Sequence, residues 1–224
     1  MLIYIAENFT SYFSFLNLFT YITFRTGGAI LTALFFSLIF GNTLINFLSS
    51  LQPAGQPFRL DGPESHIIKK AGTPTMGGVL ILSSILVSVF IWSDLKNIFI
   101  WITLLSTFSF GLIGLIDDYK KIRYLKNDGL KASTRILFQL FLGFIIVFLI
   151  HSFLPQELKT NISFPFFKNF FLDLGLFYLP FGIFVIIGSA NAVNLTDGLD
   201  GLAIVPVLIV AMSFAFISYA FALL

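Results

Sequence analysis

Long apolar runs broken by polar stretches set the outline of this chain. The runs extend from about Thr26 to Leu48, Gly77 to Trp92, Ile98 to Ile116, Ile136 to Phe153, Phe171 to Ile187, and Leu202 to Leu224. Segments of roughly 20 apolar residues match the ~30 Å of hydrocarbon in a bilayer. Lipid offers no partner for backbone N–H and C=O groups, so such segments must satisfy their own hydrogen bonds as helices. The pattern predicts an all-α, polytopic helical membrane protein with about six transmembrane helices in a single transmembrane domain, 1–224. Residues 1–24 are rich in Phe, Tyr, Ser and Thr with Glu7 the one charge, which predicts an interfacial segment whose rings lie at headgroup depth. Pro180, inside the fifth run, predicts a kink or a shorter true span.

Composition supports the membrane reading. The chain is 57% hydrophobic, holds 30 Phe and is only 11% charged, with a mean hydropathy of +0.95. That much apolar surface exceeds what one soluble core can bury. The absence of cysteine excludes disulfide and thiol chemistry. A basic n-region and a small-residue cleavage site are missing before the first run, so a removable signal peptide is not expected. Net charge, +2, says little, and nothing in it points to nucleic acid. Its distribution says more. Of 13 basic residues, Arg59, Lys69, Lys70, Lys120, Lys121, Arg123, Lys126, Lys131 and Arg135 follow the first and third runs, whereas Arg25, Lys96, Lys159 and Lys168 lie on the other side. The excess puts the polar stretches after runs one, three and five in the cytoplasm.

Those stretches hold the candidate chemistry. Asp117 and Asp118 close the third run, where the helix dipole disfavours acids, so cations such as Lys121 are expected beside them. Adjacent residues lie about 100° apart on a helix, so one metal would not easily take both and different roles are expected. The stretch Gly72-Thr-Pro-Thr-Met-Gly-Gly78, preceded by Lys69 and Lys70, can cradle phosphate through backbone N–H groups, or can simply be a glycine-rich helix entrance whose lysines face lipid phosphates. The third stretch places Asn191, Asn194, Thr196, Asp197 and Asp200 near Gly198 and Gly201. If Thr196 caps the sixth helix, Asp197 and Asp200 fall on one face of its first turn. Capping explains one Asp but not two Asn and two Asp. Acids and lysines gathered on one membrane face suit metal-assisted phosphoryl chemistry, in which carboxylates hold Mg²⁺ and lysines offset phosphate charge. A transporter or non-catalytic protein using the same acids for a cation is the alternative.

Taken together, Pro63-Glu-Ser-His66, Gly72-Thr-Pro-Thr-Met-Gly-Gly78, Asp117-Asp118-Tyr119 with Lys121, and Asn191-Ala-Val-Asn194-Leu-Thr-Asp197-Gly-Leu-Asp200-Gly201 resemble the bacterial phospho-N-acetylmuramoyl-pentapeptide transferases. The resemblance covers essentially the whole chain. The glycine-rich stretch separates these enzymes from the wider polyprenyl-phosphate N-acetylhexosamine-1-phosphate transferases, such as those using UDP-GlcNAc, which share the acid motifs. The resemblance implies a multi-pass, homodimeric protein of the bacterial inner membrane, with its active site in the cytoplasm. It implies Mg²⁺-dependent transfer of phospho-MurNAc-pentapeptide from UDP to undecaprenyl phosphate, giving lipid I and UMP. By motif, Asp117 is implied as general base or nucleophile, with Asp118 supporting it. Lys70, Thr75 and Lys121 are implied as phosphate or nucleotide contacts, and Asn191, Asn194, Leu195, Asp197, Gly198 and Asp200 as lining the uridine and diphosphate region. Two departures stand out. Arg135 takes the place of an expected lysine, and the family's further four spans, with a third Asp for Mg²⁺ and a histidine-rich loop, are absent, because no acid follows Asp200 and no His follows His151. The chain therefore matches the first six of about ten spans, as a fragment, a split enzyme or an inactive form, with Asp117 left as a metal contact.

Overall fold

The computed structural model describes residues 1–52, 55, 73–124, 129–164, 167, 170–197 and 201–222. Its helices are α1 (Leu2–Phe9), α2 (Ile22–Leu51), α3 (Gly78–Trp92), α4 (Ile98–Tyr124), α5 (Ala132–Phe153), α6 (Tyr178–Thr196) and α7 (Ile204–Ala222). Short 3-10 turns cover Ser14–Thr20 and Gly175–Phe177. Among the described residues, five segments, from Ile22, Ile98, Ala132, Gly175 and Ile204, are long and apolar enough to cross a membrane. At 15 residues, α3 spans ~22 Å and is shorter than the hydrocarbon layer. Apolar side chains cover the outside of the helices, as lipid requires and water would not permit. The protein is thus an all-α polytopic membrane protein.

Contacts gather the chain into two compact units, Met1–Phe138 and Gln139–Leu224. In the first, α2 and α3 pack antiparallel. Gly28 lies against the Trp92 indole and Gly41 against Leu80, and Trp92 Nε1 donates to Thr32 Oγ1 at 2.9 Å. The pairing of α3 with α4 is also antiparallel, with Leu82 on Gly111 and Phe90 edge-on to Trp101. Leu2–Phe9 form a short helix whose buried Ile3 and Ala6 face inward. The Met1 amino group donates to the carbonyls of Phe90 and Ile91 at the end of α3, where a cation offsets the helix dipole. Glu7 pairs with Lys96 at 2.7 Å.

The second unit departs from the expected fifth span. Phe171–Asp173 is not the start of a helix but a strand, β2, antiparallel to β1 (Asn161–Ser163), with Ile162 opposite Leu172. The helix starts only at Tyr178, so Pro180 sits in its first turn, where the missing N–H would be unpaired anyway, and no mid-helix kink results. α6 then runs through Asn191 and Asn194 to Thr196. It pairs antiparallel with α5: Gly182 lies on Val147, Gly143 on Ile183 and Ile187, and Asn191 reaches Gln139. The expected capping of the sixth helix by Thr196 is also not seen. The Thr196 hydroxyl bonds back to the Ala192 carbonyl, ending α6, and α7 begins at Ile204.

Candidate active site

Along α4 the buried positions include Ile102, Ser109, Ile113 and Asp117, spaced seven, four and four apart. That spacing is one helical face, so Asp117 continues the stripe that packs inward, while Asp118 points about 100° away. Counted from Ile98, a crossing of ~20 residues ends near Asp117, which puts both acids at the membrane boundary. Lys121 and Arg123 occupy the last turn and suit the negative end of the dipole.

Asp117 is 8% exposed, and both its oxygens are engaged. Oδ1 accepts the Leu130 backbone N–H at 2.7 Å and lies 3.4 Å from Arg135 Nη2. Oδ2 pairs with Lys121 Nζ at 2.6 Å. Gly129 makes the backbone approach possible, since a Cβ there would overlap the carboxylate. Asp118 is half-buried; its Oδ1 lies 3.3 Å from the same Lys121 Nζ, and its Oδ2 accepts the Thr75 hydroxyl at 2.8 Å. One ammonium therefore bridges both carboxylates from one turn further along the helix. Two acids face two cations, and Arg135 Nε is buried with no hydrogen-bond partner among the described residues. A buried orphan donor of this kind suits an incoming anion.

Thr75 is fixed by a residue that the sequence did not single out. Gln52, directly after α2 and 5% exposed, accepts the Thr75 N–H at 2.9 Å and donates to the Thr75 carbonyl at 3.3 Å. Met76 follows with φ of 72°, the left-handed region that a non-glycine residue rarely adopts. Leu130, Gly129 and Gln52 contribute mainly through backbone geometry or a lone amide, and no motif signals such contributions. The departure of Arg135 from the expected lysine was visible, and its place beside Asp117 gives that position a purpose.

Asn191, in the second unit, donates to Gln139 Oε1 at 2.8 Å and to the Ile187 carbonyl at 2.9 Å, so its amide N–H groups are occupied by helix packing. Gln139 is 5% exposed. Asn194, Leu195 and Asp197 are exposed at the end of α6. Lys70, Gly198 and Asp200 lie outside the described residues, as do Lys126 and the whole 56–72 stretch, Pro63–His66 and Lys69 included. Among the described residues no three of His, Cys, Asp or Glu cluster as a metal site. Mg²⁺ commonly takes one or two carboxylates, with phosphate and water filling the remainder. Asp117 and Asp118 match that minimum, and Asp118 has the freer lone pairs.

A helical membrane scaffold with paired acids bridged by lysine at the membrane boundary defines a class, and sequence comparison agrees. The chain belongs to glycosyl transferase family 4, whose model matches residues 100–223, more than half its length. Residues 70–82 match the phospho-N-acetylmuramoyl-pentapeptide-transferase signature 1. The chain is similar to the phospho-N-acetylmuramoyl-pentapeptide-transferase of Pelagibacter ubique (strain HTCC1062), 48% identical over 207 residues, which are 92% of this chain and 57% of that protein. The enzyme of the same name from Ruegeria sp. (strain TM1040) is 50% identical over 210 residues, with the same coverage. The chain thus spans 57% of the length of these curated relatives.

Proposed function

We propose that this chain supplies the acid pair of an enzyme that transfers phospho-MurNAc-pentapeptide from its UDP carrier to undecaprenyl phosphate, releasing UMP and forming lipid I at the cytoplasmic face of the inner membrane. The observation that carries the reading is the convergence of Thr75, from the signature stretch, with Asp118 and Lys121 at the end of α4. Relatives at 48% and 50% identity bearing that enzyme's name support it.

In this reading Lys121 is the group that answers the arriving phosphate. It lies between two carboxylates, so a phosphate near Asp118 competes for the same ammonium. As Lys121 turns toward phosphate, an Asp117 oxygen is released to accept the lipid phosphate proton, with Leu130 N–H and Arg135 holding the carboxylate in place. Thr75 orients Asp118. Asp118, with Asp117 beside it, would hold Mg²⁺, whose charge would offset that of the transferred group. Lys70, Asn194, Leu195, Asp197, Gly198 and Asp200 would complete nucleotide binding, and Asn191 would set the angle of the helix that carries Asn194 and Leu195.

The test is UMP release from UDP-MurNAc-pentapeptide with undecaprenyl phosphate, followed in the complete enzyme with and without Mg²⁺. Lys121→Ala and Asp118→Asn should each lower turnover by about 10²-fold or more, the scale of losing one charge-stabilising group. UDP-GlcNAc should neither replace nor compete with the substrate. Wild-type turnover in either variant would overturn the proposal.

A further inference from the structure

We propose that Gln52 is a positioning residue of this site, acting on Asp118 through Thr75. The proposal rests on the transferase reading above for its kinetic part and on geometry alone for its structural part. Helix α2 ends at Leu51, and Gln52 leaves helical geometry with φ −129° and ψ 64°; the proline that follows it, Pro53, disfavours the helical region at this position. Its side chain does not turn to solvent. It meets the backbone of a residue 23 positions away and satisfies that residue's N–H and C=O together.

This double contact imitates one rung of a sheet where the described residues form none. Thr75 precedes α3, which begins at Gly78, and has no helical partner for its N–H or C=O. The next residue, Met76, is held at φ 72°, a conformation that persists only when its surroundings impose it. Two backbone anchors on Thr75 supply that constraint. Pinned on both sides, Thr75 has its hydroxyl 2.8 Å from Asp118 Oδ2, and so sets which carboxylate oxygen remains open to ligand. A glutamine kept only for packing would need neither contact.

Hydrogen exchange of the Thr75 amide in the 224-residue chain in nanodiscs is the first readout, and it needs no substrate. Gln52→Leu, which keeps the shape and removes both contacts, should speed exchange at Thr75 about tenfold while amides within α2 and α4 stay within about twofold. Gln52→Glu keeps the acceptor and should retain most of the protection. The second readout is a double-mutant cycle on UMP release by the complete enzyme. Gln52→Leu alone should lower kcat about tenfold with a smaller change in KM, and in a Thr75→Val background it should add almost nothing, because it acts through that hydroxyl. Unchanged exchange at Thr75 in Gln52→Leu overturns the clamp. Full additivity with Thr75→Val overturns the positioning role. A complete enzyme without UMP release would count against the transferase reading, and the exchange arm would still decide the clamp.

Discussion

Gly129 is the residue on which the carboxylate cluster depends for space. Its missing side chain lets the Leu130 N–H reach Asp117. Gly129→Ala should therefore push the backbone away from Asp117 and cost about 1–3 kcal/mol, the range for overpacking a closed site. Chemical unfolding in detergent would measure it, and a wild-type midpoint would show that the segment relaxes freely. At this scale the sequence was informative about charge and silent about partners. Lys121 beside two acids was readable, since a cation is expected at that helix end. The engagement of Asp117 by a backbone N–H and of Thr75 by Gln52 was not, because backbone donors carry no letter and one glutamine between an apolar run and a proline has no pattern. Asn191 shows the reverse case: a residue of a recognisable motif whose amide is taken by Gln139, which no local signal links to it.

Elements depend on how closely they can approach. Gly28→Ala would place a methyl group in the Trp92 indole, which is itself stacked on Phe19 and hydrogen-bonded to Thr32. The expected loss is about 1–3 kcal/mol. By contrast, Gly114→Ala adds its methyl to open space and should be neutral or stabilising by up to about 1 kcal/mol, from helix propensity. Melting curves of the two variants should move in opposite directions or differ by several degrees. The β1–β2 ribbon gives a pH test. A hydrogen bond from Thr160, and then the Gly175 N–H, hold Asp173 below the ordinary aspartate range. A depressed folded pKa stabilises above the unfolded value, ~3.9, and the effect fades as pH falls through the folded value. Exchange protection at Gly175, corrected for intrinsic rate, should be full near pH 5 and decline below about pH 4; protection constant to pH 2 would remove the role given to Asp173. The starts of α2, α4 and α5 were within a few residues of expectation because hydropathy sums along one segment. The start of α6 was not, since an apolar pair such as Phe171-Leu172 reads the same in a strand as in a helix.

For the molecule as a whole, the asymmetry of Lys and Arg gives an orientation that can be measured. The chain has no cysteine, so one introduced thiol reports unambiguously. Tyr124→Cys, after the acid pair, should react with an impermeant maleimide only when the cytoplasmic face is open, and Leu158→Cys only from the opposite side. Exchange of the two accessibilities would reverse the topology and with it the cytoplasmic site. The membrane class and helical architecture were legible at this scale, being properties of composition and length. The pairing of particular helices was not, because it rests on small residues and single polar contacts. The contact between Gln139 and Asn191 has a consequence for biosynthesis. Gln139 is 5% exposed, and its amide oxygen finds a donor in Asn191, so the two helices satisfy together a polar group that would be costly to bury unpaired. A hydrogen bond that fixes helix register in the finished protein would thus also favour entry of the two helices into lipid as a pair.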